Sequence, residues 1–175
     1  AIEMASAPFD YAKLAGLFGS PWHRSYVKSK LRTDPLYNGV FGALDGSSNQ
    51  LLDLGCGLGL LAFYLRERNL AFPILGIDYD PRKIDDAVRL AKENYPGGEL
   101  EFRVGDAREG IPDFEGNVTI LDILQFFTPE EQDRLLTNAA MCVAPGGKLV
   151  IRSALRKDGW RFRVTQLGDL IAKLT

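Results

Sequence analysis

Residues 51–59 narrow the range of folds open to this chain more than any other segment does. They read Leu-Leu-Asp-Leu-Gly-Cys-Gly-Leu-Gly, so a short apolar run ends at Asp53-Leu54 and is followed by a glycine-rich loop. An apolar stretch with helical character, 60–65, comes next. A strand, a tight glycine turn and a helix start form the first half of a nucleotide-binding βαβ unit. We therefore predict that a ligand lies close to this backbone, where a Cβ atom would collide with it.

The spacing of the glycines separates two classes of cofactor. A dinucleotide fingerprint, G-x-G-x-x-G/A, would place its third small residue at position 60, which is Leu60, whereas the third glycine of this chain is Gly59. The pattern is therefore D-x-G-x-G-x-G, which resembles motif I of the class I S-adenosylmethionine-dependent methyltransferases. An ordinary strand-to-helix turn is the other interpretation of such a loop.

An acidic residue ends the second apolar strand, 73–78. Asp78 follows the glycine loop by about 20 residues, and a carboxylate at that distance can accept hydrogen bonds from both ribose hydroxyls of a nucleotide. A dehydrogenase has an acid here too, so Asp78 predicts nucleotide binding without identifying the nucleotide. Asp80 is instead predicted to cap the helix that begins at Pro81.

The resemblance to the methyltransferase family extends in the family's order from residue 50 to residue 152. Strand 100–104 is followed by Gly105-Asp106-Ala107, where an Asp of that family hydrogen-bonds the adenine amino group. Strand 117–122 ends at Asp122, and Ala144-Pro145-Gly146-Gly147 resembles the family's turn into its fifth strand. The resemblance implies S-adenosyl-L-methionine as the cofactor and these cofactor-binding residues: Asp53, Gly55, Cys56, Gly57, Gly59, Asp78, Tyr79, Asp106, Ala107 and Asp122.

Strands and helices are predicted to alternate through the second part of the chain. This alternation predicts an α/β fold with a doubly wound, mainly parallel Rossmann-like sheet and helices on both faces. At 175 residues we expect a single domain, with a methyltransferase core at 50–175 and a helical extension at 1–49. The predicted core elements are strands 50–54, 73–78, 100–104, 117–122 and 147–152 and helices 59–69, 81–94 and 129–142, with 105–116 as a loop.

The extension 1–49 is predicted to contain helices at 9–18, 22–32 and 35–43. In the family such a segment often covers the cofactor and the substrate, so we expect it to be a lid on the substrate side. The middle helix carries His23, Arg24, Lys28, Lys30 and Arg32. These residues either form a solvated face or bring Arg24 or a neighbour to the cofactor carboxylate or to an anionic substrate. Segment 23–32 also resembles methyltransferases of bacterial aryl-polyene pigment synthesis.

The residues after strand five depart from the family. A complete class I sheet ends in an antiparallel strand hairpin, whereas Trp160 to Thr175 has apolar residues at a helical spacing. We therefore expect the hairpin to be missing, either because the core is incomplete at its carboxyl end or because this is a variant with five parallel strands. Basic residues at 156, 157, 161 and 163 leave open a peripheral contact with a membrane, although packing on the sheet is the other interpretation.

No residue pattern identifies the catalytic chemistry. The Asn/Asp-Pro-Pro-Tyr/Phe motif of amino-methylating DNA and protein enzymes is absent after strand four, and Gln125 stands where many small-molecule members have a histidine. The only histidine, His23, is the candidate catalytic base, with a surface or packing role as the alternative. No metal-ligand spacing is present. Four aromatic residues either line an apolar substrate pocket or belong to the core: Tyr11, Trp22, Phe126 and Phe127.

Charge and composition exclude several other classes. A net charge of −2 gives no general attraction to nucleic acid. No apolar run is long enough to span a bilayer, the two cysteines form no disulfide framework, and no signal peptide is recognisable, so we expect a cytoplasmic protein.

The function predicted from the sequence is S-adenosylmethionine-dependent methyl transfer to a small-molecule acceptor, aromatic or acidic. Two alternatives remain open. A non-catalytic S-adenosylmethionine-binding module is favoured if the hairpin does not exist. An NAD(P)-dependent oxidoreductase is disfavoured by Leu60 and by Asp106.

Overall fold

Strands and helices alternate from residue 51 onward, as the sequence predicts. The structure is a computed structural model that describes residues 9–97 and 99–153 and the backbone of 161–165. Three helices precede the sheet: α1 (Tyr11–Gly16), α2 (Pro21–Thr33) and α3 (Leu36–Leu44). The other elements are β1 (Leu51–Leu54), α4 (Leu60–Glu67), β2 (Ile74–Asp78), α5 (Pro81–Asn94), β3 (Leu100–Val104), β4 (Asn117–Leu121), a 3-10 helix (Leu124–Phe126), α6 (Pro129–Met141), β5 (Leu149–Ser153) and β6 (Arg161–Thr165).

The strands form one sheet in the order β3-β2-β1-β4-β5-β6. Strands β1 to β5 are parallel, with β1 between β2 and β4. The chain therefore leaves β1 towards one edge of the sheet and returns through β4 towards the other edge. Ligands of such sheets bind beyond the carboxyl ends of the strands at this reversal point.

Alternation along β1 divides the core between the two faces of the sheet. Leu51 faces a cluster formed with α1 to α5, whereas Leu52 and Leu54 face a cluster formed with α6. Helix α4 is buried over residues 60–65 because it lies between the sheet and the amino-terminal helices. The described part of the extension, residues 9–49, thus contributes to the main core, since Leu14 of α1 and Val40 of α3 are fully buried.

Two helices begin at side-chain caps, and the Asp80 cap is the one that the sequence predicts. The Asp80 carboxylate accepts a hydrogen bond from the backbone N–H of Arg82 at 3.0 Å, and Pro81 begins α5. Thr128 and Glu131 form a reciprocal capping box at the start of α6. The ends of β2 and β4 lie at the same edge of the sheet because both strands run parallel to β1.

The prediction of a helix over Trp160 to Thr175 is wrong for residues 161–165. These residues form β6, which pairs antiparallel with β5 in a register that joins Ile151 to Arg163. Their sequence, Arg-Phe-Arg-Val-Thr, alternates charged and apolar residues with the period of a strand. The expectation that the antiparallel strands are missing is therefore corrected for one strand. Residues 154–160 and 166–175 lie outside the described residues, as do the side chains of Arg161 and Arg163.

Among the described residues, no helix is long and apolar enough to cross a membrane.

Candidate functional site

A cleft of about 740 Å³ opens at the carboxyl ends of β1 and β4, where the strand order reverses. Its walls come from the strand ends on one side and from α2 and the start of α3 on the other. The cleft is lined by nine of the ten residues that the sequence assigns to the cofactor: Asp53, Gly55, Cys56, Gly57, Asp78, Tyr79, Asp106, Ala107 and Asp122. Gly59 lies outside this lining.

Two positions of the loop that borders the cleft have no space for a side chain. Gly55 has a φ of +78°, and a Cβ atom there would lie 2.4 Å from Cγ2 of Ile123. Gly59 has a φ of +76°, and a Cβ atom there would lie 2.7 Å from Cζ of Phe102. Only glycine adopts this left-handed backbone without strain. The third glycine of the motif is thus explained by packing and backbone geometry.

Asp78 ties the glycine loop to the end of β2. Its side chain is buried, with the residue only 6 % exposed. One carboxylate oxygen accepts a hydrogen bond from the backbone N–H of Gly57 at 2.9 Å, and the other accepts one from the backbone N–H of Asp80 at 3.0 Å. Each oxygen retains a second lone pair. Asp78 therefore fixes the loop and can still accept hydrogen bonds from a ligand in the cleft.

Asp53 is a buried carboxyl group at the floor of the cleft. Burial is the main reason that the pKa of Asp53 is raised to about 6, and the charge of Asp78 adds to the rise. The hydrogen bond that the Thr119 hydroxyl donates to Asp53 at 2.7 Å acts in the opposite direction and lowers the pKa. A carboxylate held in such surroundings is stabilised by any cation that binds beside it.

The raised pKa of Asp53 predicts a pH dependence of stability. The pKa of an unfolded Asp is about 3.9, so the folded state binds the extra proton between about pH 4 and pH 6. The stability that comes from this proton is complete below pH 4 and is lost as the pH rises through 6. We therefore expect Asp53→Asn to be more stable than the unchanged protein by ~2–3 kcal/mol at pH 7.5.

Urea unfolding at a series of pH values checks this expectation. The gain of Asp53→Asn should shrink towards zero below pH 4. The control is Asp85→Asn, which removes an exposed carboxylate from α5 and should follow the unchanged protein at every pH. An Asp53→Asn gain that is the same at pH 4 and pH 7.5 would contradict the account.

Two further carboxylates of the cleft are paired with arginines. Asp106 accepts hydrogen bonds from Nε of Arg108 at 2.9 Å and from Nη2 at 2.5 Å, and this pairing, stronger than the opposing effect of burial, lowers the pKa of Asp106. Asp122 accepts a hydrogen bond from Nε of Arg152 at 2.8 Å and another from Nη2 of the same guanidinium. Asp122 also has a φ of +60°, which turns the chain sharply after β4.

Helix α2 forms the wall opposite the strand ends. Trp22, Tyr26 and Lys30 line the cleft at intervals of four residues, and half-buried His23 lies beside them with its ring edge-on to Trp22 at 5.3 Å between centroids. The periodicity of a helix explains this shared face. His23, the candidate base, is therefore in the cleft together with the predicted cofactor residues.

Arg24 has a different environment from its neighbours. Its guanidinium donates hydrogen bonds to the backbone carbonyls of Phe18 at 2.7 Å and of Gly19 at 3.2 Å, and it does not line the cleft. The hypothesis that Arg24 itself meets an anionic group is thus not supported. Lys30, on the same helix, does line the cleft.

The four aromatic residues singled out in the sequence divide between cleft and core contacts. Trp22, Phe126 and Phe127 line the cleft, whereas Tyr11 packs edge-on against Phe9 at 4.9 Å. Gln125 does not line the cleft, and its Nε2 donates a hydrogen bond to the backbone carbonyl of Asp122 at 2.6 Å.

Cys56 of the glycine loop is buried, and burial raises the pKa of its thiol. The side chain therefore serves packing.

Several lining residues were not assigned to the site from the sequence: Tyr26, Tyr37, Lys83, Arg108 and Ile123. Tyr26 was detectable, because it follows Trp22 by one helical turn. Arg108 directly follows Ala107, which was assigned, but its direction depends on the backbone of the loop that carries it. Lys83 lies in the first turn of α5, and its direction depends on how that helix packs.

Comparison with known proteins agrees with the geometry. Residues 51–147 match the family model described as a methyltransferase domain. The ribosomal protein L11 methyltransferase of Burkholderia vietnamiensis is 29% identical over 108 residues, which are 62% of this chain and 33% of that protein. The trans-aconitate 2-methyltransferase of Streptomyces coelicolor is 31% identical over 103 residues, which are 59% of this chain and 34% of that protein. The aligned part thus spans about a third of the length of these relatives.

Among solved structures, the magnesium protoporphyrin IX methyltransferase of Synechocystis with bound S-adenosylhomocysteine has a similar fold. Its TM-score is 0.63 at 18% identity, and the match covers 93% of this chain and 69% of that one. The likeness concerns the fold.

Proposed function

This chain belongs to the methyltransferase domain family, the class I S-adenosylmethionine-dependent methyltransferases, and we propose that it transfers a methyl group from S-adenosylmethionine to a small-molecule acceptor. The observation that carries the proposal is the link between the glycine loop and Asp78. The Gly57 N–H and the Asp78 carboxylate meet at 2.9 Å on the wall of the cleft. This arrangement, with the third glycine at 59, fits an adenosyl group bound across the end of β1.

Four of the predicted cofactor residues have a proposed place or role consistent with their position in the cleft. Asp78 accepts hydrogen bonds from the ribose hydroxyls, and Tyr79 lies beside it. Asp106, just after β3, accepts a hydrogen bond from the adenine amino group. For this, Arg108 must release one of the hydrogen bonds that it donates to Asp106. Asp53 lies at the floor below the glycine loop, where its carboxylate favours the cationic methionine end of the cofactor.

Methyl transfer requires little covalent chemistry from the protein. The sulfonium already activates the methyl group, so the main requirement is to hold the acceptor atom in line with it. A base is needed only where the acceptor must lose a proton, and His23 is the proposed base for that case. Its position on the α2 wall places it across the cleft from the strand ends that hold the cofactor.

One comparison favours a small-molecule acceptor. The name of the Streptomyces coelicolor relative gives trans-aconitate as the molecule that that protein acts on. The Burkholderia relative is named for a ribosomal protein, so a protein acceptor is the competing outcome.

Calorimetry tests the cofactor part of the proposal. We expect S-adenosylmethionine and S-adenosylhomocysteine to bind the purified protein, and NAD to bind at least tenfold more weakly, because Leu60 replaces the third small residue of the dinucleotide fingerprint. Binding of NAD without binding of either sulfur nucleotide would contradict the proposal and favour an oxidoreductase. Binding without turnover of any acceptor would favour a non-catalytic module.

A further inference from the structure

The α2 wall of the cleft is aromatic and largely uncovered. Trp22 is 69 % exposed and Tyr26 is 45 % exposed, although both are large apolar side chains. Their rings are stacked nearly parallel, with 5.6 Å between centroids and 3° between planes. The two rings stack on each other, so another flat ring can pack against their exposed edges and against the uncovered part of Trp22.

The opposite side of the cleft mouth adds a third uncovered ring. Phe126, in the 3-10 helix after β4, is 76 % exposed and lines the same cleft. Phe127 follows it in the lining. A planar ligand that entered between α2 and this 3-10 helix would cover apolar surface on both sides.

A positive charge lies on the aromatic wall. Lys30 lines the cleft one helical turn after Tyr26, and its ammonium lies 5.7 Å from the centroid of that ring. Within the part of the chain that the structure describes, Lys30 forms no ion pair with a carboxylate. The four carboxylates that line the cleft all lie at the ends of strands or directly after them: Asp53, Asp78, Asp106 and Asp122.

The acidic groups of the cleft thus lie on the strand side, where Arg108 pairs with Asp106 and Lys83 of α5 also lines the cleft, whereas Lys30 is the cation of the α2 wall. The strand side suits the cofactor, whose sulfonium is cationic. The α2 side suits a flat, apolar molecule with a negative group. We propose that the methyl acceptor is a planar aromatic acid whose ring packs on Trp22 and Tyr26 and whose carboxylate pairs with Lys30. This inference rests on the proposed function.

Binding of simple acids tests this assignment. The protein is saturated with S-adenosylhomocysteine and titrated by calorimetry with three probes: 2-naphthoate, the uncharged 2-naphthylmethanol and the non-aromatic cyclohexanecarboxylate. We expect 2-naphthoate to bind roughly tenfold more tightly than either of the other two, because it alone combines a flat ring with a carboxylate.

Matched variants of α2 separate the two contributions. Lys30→Gln should lower the affinity for 2-naphthoate by roughly three- to tenfold and leave 2-naphthylmethanol unchanged. Lys28→Gln removes an exposed cation of the same helix that does not line the cleft, so it should change neither affinity. Trp22→Ala should weaken both naphthalene probes. Unchanged binding of S-adenosylhomocysteine by each variant shows that the fold is intact.

Several results would overturn the assignment. Equal affinity for 2-naphthoate and cyclohexanecarboxylate would exclude an aromatic subsite, and equal effects of Lys30→Gln and Lys28→Gln would exclude an ion pair with Lys30. If S-adenosylhomocysteine does not bind, the proposed function fails, and the same probes titrated into the cofactor-free protein still test the α2 wall. If the nucleotide binds and no probe does, only the assignment of the acceptor fails.

Discussion

Replacing Arg152 by methionine is expected to lower the free energy of unfolding by about 3–5 kcal/mol, because it removes a buried guanidinium and leaves two half-buried carboxylates without their cation. Arg152 is 6 % exposed in β5. Its Nη1 donates a hydrogen bond to Asp34 at 2.5 Å, and its Nε donates one to Asp122 at 2.8 Å. Burial opposes ionisation of Asp34, but the hydrogen bond and charge of Arg152 together lower the pKa of that carboxyl. The guanidinium thus joins the segment after α2 to the end of β4.

Urea unfolding measures the effect, and a surface pair supplies the control. Arg82 pairs with Asp80 at 3.1 Å but its side chain is 89 % exposed, so Arg82→Met should change the free energy of unfolding very little. Adding Asp34→Asn and Asp122→Asn to Arg152→Met should restore part of the loss, since the two unpaired, half-buried charges are then removed. A loss for Arg152→Met no larger than that for Arg82→Met would contradict the structure at this position.

Replacing Asp78 by alanine is expected to weaken binding of S-adenosylhomocysteine by ~10–100-fold. The change removes the acceptor proposed for the ribose hydroxyls and leaves the Gly57 N–H, now held at 2.9 Å, without its partner. Both effects act on the cleft, so the affinity should fall more than the stability does. Calorimetry gives the affinity and urea unfolding gives the stability.

Asp80→Ala is the matched control for this variant. It removes an acid only two residues away, which caps α5 and does not line the cleft. We expect it to lower the stability modestly, because α5 loses its cap, and to leave the affinity unchanged. Equal affinities for Asp78→Ala and the unchanged protein would mean that the nucleotide does not contact the end of β2.

The sequence predicted the sheet because its signals are local. A run of apolar residues that ends at Asp53 or Asp78 and is followed by a glycine or a helix cap marks a strand end within a few residues. The helix predicted at 81–94 begins and ends where α5 does, because Pro81 and the Asp80 cap act on adjacent residues. The parallel order then places these strand ends at one edge of the sheet.

The contacts that escaped prediction join distant parts of the chain. Arg152 follows three apolar residues in β5, and nothing near it in the sequence indicates pairing with Asp34 or Asp122, which are 118 and 30 residues away. The pairing of β6 with β5 likewise depends on neighbours in space, and the apolar residues at 160 and 164 fit a helix as well as a strand. Arg24 is one of the cations that the sequence suggested for ligand binding, yet its guanidinium donates hydrogen bonds to nearby backbone carbonyls.

Transfer of a labelled methyl group tests the central claim most directly. The protein is incubated with S-adenosylmethionine that carries tritium in its methyl group and with a cell extract, which is then divided into small molecules and macromolecules. We predict that label enters the small-molecule fraction, that this requires the protein, and that Asp78→Ala, with its weakened cofactor binding, transfers far less. Label that enters only the protein or nucleic-acid fraction, or transfer that is equal for the unchanged protein and Asp78→Ala, would contradict the account.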